Sequence, residues 1–253
     1  MAIEALKVIT PEDEQTVEEM QRWLLQEKRT QAWDTPINSV NAIWAFLDNQ
    51  NTLNTPSTQT ILAIDGKPVQ LPKATAGIGY VKTAIEQPKG KQFTAKKTST
   101  GTSWGAVYAQ FMQPVRDIEA SGSGLTIKRE LIVPNTQSTQ NTPITLKVGD
   151  KVTVRITIES ERDLDFVQVL DRRAACMEPV RQLSGYRNGA YCSPKDYSTN
   201  YYFDRLPKGK RVIETEYYID RAGIYETGTC TIQCAYSPEY RATAKSQTLN
   251  VEQ

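Results

Sequence analysis

Val148-Gly149-Asp150-Lys151-Val152-Thr153-Val154-Arg155-Ile156-Thr157-Ile158-Glu159 is the stretch whose reading decides the fold. Val152, Val154, Ile156 and Ile158 are β-branched, with Thr153, Arg155 and Thr157 between them, so polarity alternates with a period of two. Successive side chains of a strand point to opposite faces, and this alternation predicts one face on a core and the other in water. A Gly-Asp turn launches the strand, and the charged run Glu159-Ser160-Glu161-Arg162-Asp163 ends it.

The pattern recurs outward from there. Strands are expected near 151–159, 165–171, 198–203, 211–219, 225–235 and 242–251, with turn signals at Asn188-Gly189, Pro207-Lys208-Gly209 and Ala222-Gly223. Upstream, Leu125, Ile127, Arg129, Leu131 and Val133 alternate, and residues 134–143 form a polar link. The run Ser121-Gly122-Ser123-Gly124 has the composition of a flexible joint. Short strands without intervening helices predict an antiparallel sandwich, Ig-like or macroglobulin-like in size, with Greek-key connections.

The first fifty residues follow a different period. Thr10-Pro11-Glu12-Asp13 is a helix start with a Thr cap, Pro at the first position and acids in the first turn. Val17, Met20 and Leu24, with Trp23 beside them, make an apolar stripe that should end near Lys28-Arg29. Asp34-Thr35-Pro36 opens a second helix carrying Ile37, Val40, Trp44 and Leu47 on one stripe, with Ile43 and Phe46 beside it. The two stripes should pack on each other and on something else. From about Thr55 the period returns to two. Ile61-Leu62-Ala63-Ile64, Asp65-Gly66 and Pro68-Val69-Gln70-Leu71 predict a hairpin, with further strands at 79–85, 92–98 and 104–112. The fold class is therefore mainly β: a large antiparallel sandwich, preceded by a smaller β unit and an N-terminal α-helical pair.

Composition excludes more chemistry than it offers. The 253 residues include 30 basic and 29 acidic side chains, which gives no general attraction to nucleic acid or anionic membrane. The pairs Lys96-Lys97 and Arg172-Arg173 read as solvated surface. No apolar run approaches the ~20 residues of a membrane span. The start, Met1-Ala2-Ile3-Glu4-Ala5-Leu6, is not a signal peptide and reads as the tail of a helix already under way, as in a fragment of a longer chain. Histidine is absent, which removes Ser-His and Cys-His nucleophile pairs and the commonest metal ligand. The acid pairs Asp163/Asp165 and Glu214/Glu216 read as the polar faces of strands. No catalytic residue, cofactor site or metal site is assigned, and the chain is not expected to be an enzyme.

Cysteines and tyrosines remain. Cys176, Cys192, Cys230 and Cys234 are separated by 15, 37 and 3 residues, which is not the spacing of paired zinc knuckles. Cys230 and Cys234 share one strand face about 13 Å apart and read as buried thiols. Cys176 and Cys192 lie in turn-rich sequence and are the candidate disulfide if the compartment is oxidising. Tyrosines crowd the last seventy residues; Tyr186 and Tyr191 are the candidate binding surface, an aromatic platform for glycan or protein. The plainer reading is that tyrosine suits a half-buried strand, and neighbours such as Tyr201 and Tyr202 must face opposite ways.

Several segments together resemble one family. Residues 21–35 (Gln21-Arg22-Trp23-Leu24-Leu25-Gln26-Glu27-Lys28-Arg29 through Trp33-Asp34-Thr35) resemble the late helices of the thioester-domain toroid of bacterial alpha-2-macroglobulin-like proteins. Glu178-Pro179-Val180, Leu183-Ser184-Gly185-Tyr186, Ser198-Thr199-Asn200-Tyr201-Tyr202-Phe203-Asp204, Leu206-Pro207-Lys208-Gly209 and Thr231-Ile232-Gln233-Cys234-Ala235-Tyr236-Ser237-Pro238-Glu239 resemble their C-terminal domain. Trp104-Gly105-Ala106-Val107-Tyr108 is similar to the strand leading through their CUB-like domain. The resemblance implies a toroid remnant over 1–52, part of a CUB-like unit over 53–120 and a C-terminal macroglobulin-type sandwich over 121–253.

It also implies a parent that traps proteases after cleavage of a bait region, located in the periplasm or cell envelope. In thioester-bearing members a Cys-Gly-Glu-Gln motif lies at the start of the toroid. Here Cys176 precedes Met-Glu-Pro, Cys192 Ser-Pro-Lys, Cys230 Thr-Ile-Gln and Cys234 Ala-Tyr-Ser, so this stretch forms no such bond itself. The expected role is that of a non-catalytic scaffold whose partners are the parent's other domains, with proteases met only through the parent. A homo-oligomer through the exposed helices is also expected of the isolated piece. The alternative is an envelope adhesin or glycan-binding sandwich.

Overall fold

The computed structural model describes residues 1–33, 35–47, 60–72, 81–86, 90–98, 105–133 and 144–253. They fall into two compact units, Met1–Gln26 with Trp33–Val107, and Glu27–Ala32 with Tyr108–Gln253.

The first unit opens with helices α1 (Ala2–Ile9), α2 (Glu14–Thr30, its end belonging to the second unit) and α3 (Pro36–Leu47). The cap of α2 is Asp13 rather than Thr10. Asp13 Oδ1 accepts the Thr16 N–H at 3.1 Å, and the Thr16 side-chain hydroxyl, followed by this backbone bond, holds the carboxyl below its usual range. Thr10 instead closes α1, its N–H donating to the Leu6 carbonyl at 2.8 Å. Asp caps at least as well as Thr, so a neighbouring helix end decides between them. Thr35 caps α3 by accepting the Asn38 N–H at 3.1 Å; Asp34 lies outside the described residues.

Ile3, Val17 and Ala45 form the helical core, with Leu6, Met20 and Leu24 around them. α3 thus turns its small Ala45 inward, while Ile37, Val40, Ile43 and Trp44 stay exposed, so only the α2 stripe is covered as expected. Strands β1 (Ile61–Ile64), β2 (Lys67–Pro68) and β3 (Phe93–Lys96) make a three-stranded antiparallel sheet. Its hairpin turns on Asp65 at φ 47° and Gly66 at φ 76°, the two positive values that a type I′ turn needs. The strand expected over 79–85 lies partly outside the described residues, and 81–86 are not extended into a sheet. Residues 105–112, also read as strand, form none; Trp104 is outside the described residues.

The second unit is the β-sandwich. Its strands are β4 (Ser121–Ser123), β5 (Leu125–Ile132), β6 (Ile144–Lys147), β7 (Lys151–Ser160), β8 (Leu164–Arg172), β9 (Met177–Pro179) and β10 (Gly185–Arg187), then β11 (Ala190–Pro194), β12 (Ser198–Leu206), β13 (Gly209–Ile219), β14 (Gly223–Glu226), β15 (Cys230–Cys234), β16 (Arg241–Ala244) and β17 (Thr248–Glu252). One sheet runs β10-β11-β12-β8-β15-β16-β4, a second β5-β7-β13-β9 and a third β14-β17-β6. All pairings between these strands are antiparallel except β17 with β6. The opening stretch is β7, central in its sheet, and Val152, Val154, Ile156 and Ile158 are buried as the alternation requires. They meet Val167, Val169, Phe203 and Ile232 of the large sheet and Leu249 of the third in one core. Each such side chain contributes roughly 1.5–3 kcal/mol by leaving water.

Two single expected strands are each two strands in different sheets. Between β14 and β15 the chain crosses at Gly228, φ 74°, and it crosses again between β16 and β17. The buried set changes parity at both crossings, from Thr227 and Thr229 to Cys230, Ile232 and Cys234, and from Ala242 and Ala244 to Leu249 and Val251. The Ser-Gly run is not a joint either: it is β4, an edge strand paired with β16. A Cβ on Gly122 would collide with the Leu125 carbonyl oxygen, so glycine serves close approach here rather than flexibility. Gly122→Val should peel β4 from the sheet. A loss of about 1–2 kcal/mol in urea unfolding, with faster amide exchange at Thr243, is expected; unchanged exchange would contradict the reading.

Candidate functional site

Three polar bridges cross the sandwich and hold its sheets in register. Arg129 on β5 donates through Nη1 to Asp171 Oδ1 on β8 at 3.0 Å, the two side chains being 4% and 2% exposed. Thr199 of β12 and Tyr217 of β13 share a hydroxyl bond of 2.8 Å, and Tyr201 and Thr215 one of 2.6 Å. Burial pushes the Tyr201 and Tyr217 phenols well above their usual range. Burial likewise raises the Asp171 carboxyl, with the Arg129 charge opposing. These groups are structural bolts, and the small cavity of about 10 Å³ beside Arg129, Asp171 and Arg173 is too small to hold a substrate.

The bolts leave two features on the outer surface of the large sheet. The first is a grip on residues 27–32. The buried Ser237 hydroxyl, in the β15–β16 turn, donates to the Arg29 carbonyl at 2.7 Å. Arg29 Nη2 meets both Glu239 oxygens at 2.8 and 2.9 Å, and the Ala32 N–H donates to Asp165 Oδ2 at 2.6 Å. Beside it Phe166 sits at φ 57°, a strained conformation for a bulky side chain, and its ring meets Tyr236 edge-to-face at 5.3 Å.

The second feature is aromatic. Tyr186 on β10 and Tyr191 on β11 are register partners, as are Tyr191 and Tyr202 of β12. They are 70%, 37% and 39% exposed. The Tyr186 and Tyr191 rings lie 5.3 Å apart at 70°, and the Tyr186 hydroxyl reaches over β11 to donate to Asp204 Oδ2 at 3.2 Å. That carboxylate pushes the Tyr186 phenol up. The structure thus brings the two tyrosines singled out in the sequence together and adds Tyr202 and Asp204. Tyr202 was legible from the alternation around Tyr201; Asp204 was not, because no local pattern shows which strand lies two places away.

The remaining candidates resolve into structure. Cys176, Cys192, Cys230 and Cys234 are all buried free thiols in the structure, so the disulfide considered for Cys176 and Cys192 is not formed in it. Burial raises the Cys176, Cys192 and Cys230 thiols, which keeps them protonated and unreactive. Arg172 donates to Thr229 Oγ1 at 3.0 Å, and Arg173 donates to the Met177, Ser198 and Asp196 carbonyls, so the pair serves the fold rather than solvent. Asp163 accepts the Lys208 N–H at 2.7 Å and Arg205 Nη2 at 2.8 Å, which lowers its carboxyl. Glu214 and Glu216 pair with Arg155 at 2.6 Å and Lys151 at 2.9 Å. Among the described residues no cluster of three metal-ligating side chains occurs, and no helix is long and apolar enough to cross a membrane.

Residues 124–239 match the family model of the bacterial alpha-2-macroglobulin MG10 domain. Comparison with curated proteins finds no match. Among solved structures, a Salmonella alpha-2-macroglobulin reacted with methylamine aligns at 20% identity and TM-score 0.47, over 54% of this chain and 10% of that one. The native conformation of Escherichia coli alpha-2-macroglobulin aligns at 16% identity and TM-score 0.48, over 56% and 10%. An Escherichia coli structure spanning MG7 to the C-terminus gives 16% and 0.47, over 55% and 25%. The alignments span about a tenth of the first two structures. The likeness to the bacterial alpha-2-macroglobulin family therefore rests on residues 124–239, which resemble its MG10 domain.

Proposed function

We propose that this chain is a non-catalytic structural and docking region of a protease-trapping, alpha-2-macroglobulin-like protein of the periplasm or cell envelope. In this reading residues 1–52 are a remnant of its helical toroid, 53–120 part of a CUB-like unit and 121–253 the terminal sandwich. The bait region and the thioester belong to the parent elsewhere. The observation that carries the proposal is the grip of Ser237, Glu239 and Asp165 on residues 27–32, on a domain that resembles the matched family.

Its strength suits a rest position that can be released. The Arg29–Glu239 pair is about two-fifths exposed, so screening limits it to about 0–1 kcal/mol. The two hydrogen bonds add about 0.5–1.5 kcal/mol each. In this reading a cleavage elsewhere in the parent changes its domain arrangement without bond chemistry in this chain. The test compares the full-length protein with a form lacking residues 121–253, measuring protease retained after bait cleavage by size-exclusion chromatography. Loss of retention is expected; equal retention would remove the proposal.

A further inference from the structure

The tyrosine corner sets a carboxylate beside a pair of exposed rings. Four other carboxylates of the sandwich have a cation: Asp163 has Arg205, Glu214 has Arg155, Glu216 has Lys151 and Glu130 has Lys128. Asp204 makes no ion pair among the described residues; its partner is the neutral Tyr186 hydroxyl. The cations nearby in sequence are engaged elsewhere, Arg205 with Asp163 and Arg187 with the Leu183 carbonyl. The faces of Tyr186, Tyr191 and Tyr202 are themselves electronegative, because an aromatic ring carries negative charge on its face. Two rings at 70° make a corner, a third lies on the next strand, and a carboxylate closes the group.

We infer that Tyr186, Tyr191, Tyr202 and Asp204 form a binding site for an organic cation, a guanidinium or alkylammonium group presented by a partner. A neutral glycan would be served by the rings but would leave Asp204 without a counter-charge. A guanidinium or quaternary ammonium uses both, stacking on the rings while its charge faces the carboxylate. Because the β10–β11 hairpin is at the sheet edge, such a group reaches the corner from solvent without displacing any strand.

The test titrates the full chain, followed by tyrosine-ring NMR, with three probes: Nα-acetylarginine amide, choline chloride and the neutral isostere Nα-acetylcitrulline amide. Arginine, choline or both should shift the Tyr186, Tyr191 and Tyr202 rings, and citrulline should not; which cation binds tighter identifies the source as a protein side chain or a quaternary amine. Asp204→Asn and Tyr191→Leu should each weaken binding at least about tenfold while circular dichroism and Tm stay unchanged. Equal shifts with citrulline, full affinity in Asp204→Asn, or a neutral oligosaccharide that displaces the cation would overturn the assignment. So would shifts spread evenly over the surface, or no binding by either cation.

Discussion

Replacing Arg129 by methionine should lower the stability of the sandwich by about 3–5 kcal/mol, a large share of the ~5–15 kcal/mol that holds a domain folded. The guanidinium donates to Asp171 and to the carbonyls of Arg172, Gly228 and Lys245 at 3.0, 3.0, 2.8 and 3.4 Å, and also to Thr227 Oγ1. Methionine fills similar space but strands the Asp171 carboxylate without its counter-charge. The deficit should depend on pH. Burial already raises the Asp171 carboxyl and Arg129 opposes the rise, so the variant raises it further. A carboxyl raised in the folded state favours folding below its unfolded value, and that advantage fades as pH climbs through the folded value. The gap between the variant and the unmodified chain should therefore narrow as pH falls from about 7 towards the ordinary carboxylate range. Arg129→Met with Asp171→Leu should recover most of the loss and abolish the pH dependence. Urea midpoints at several pH values decide it; a small, pH-independent loss would mean that the pair does not bridge the sheets.

The architecture was largely legible because alternation is a direct image of a strand's two faces. The buried set on β7 matches the sequence pattern residue for residue. Arg129 stood in the alternating set with Leu125 and Leu131, but its buried partner Asp171 needed the packing of β5 against β8 across the sandwich. Three kinds of feature stayed hidden. Sheet switching at Gly228 and the edge strand at Ser121–Ser123 depend on contacts distant in sequence, which local composition reads as a bend or a linker. The short strands β9, β10 and β11 carry too few residues for a period to show. The helix cap moved from Thr10 to Asp13 because an upstream helix had already claimed Thr10.

The candidate surface was legible only in part, for the same reason. Tyr186 and Tyr191 flank the Asn188-Gly189 turn signal, and the pairing of the short strands β10 and β11 places them opposite each other. Asp204 joins them only because β12 lies beside β11, a pairing across a long connection. The grip on residues 27–32 is further still from sequence, since Arg29 and Glu239 are 210 positions apart.

Phe203→Ala should cost about 3–5 kcal/mol, whereas Tyr202→Ala one residue earlier should stay within about 0.5–1 kcal/mol. The two aromatic residues share β12, its backbone bonds and similar intrinsic strand preference, so the comparison isolates facing. Phe203 is 1% exposed and belongs to the sandwich core; its truncation removes apolar contact and leaves a cavity that the bolted sheets cannot easily close. Tyr202 faces outward, and its loss removes only an exposed ring and a weak 3.4 Å bond from Asn200. Chemical denaturation of both variants measures the difference, and an unchanged m-value would show that the unfolded state is the same in each. If the order reversed, β12 would be slipped by one residue. The tyrosine row would then point into the core and the cation site could not exist, so this pair of variants tests the register on which the surface depends.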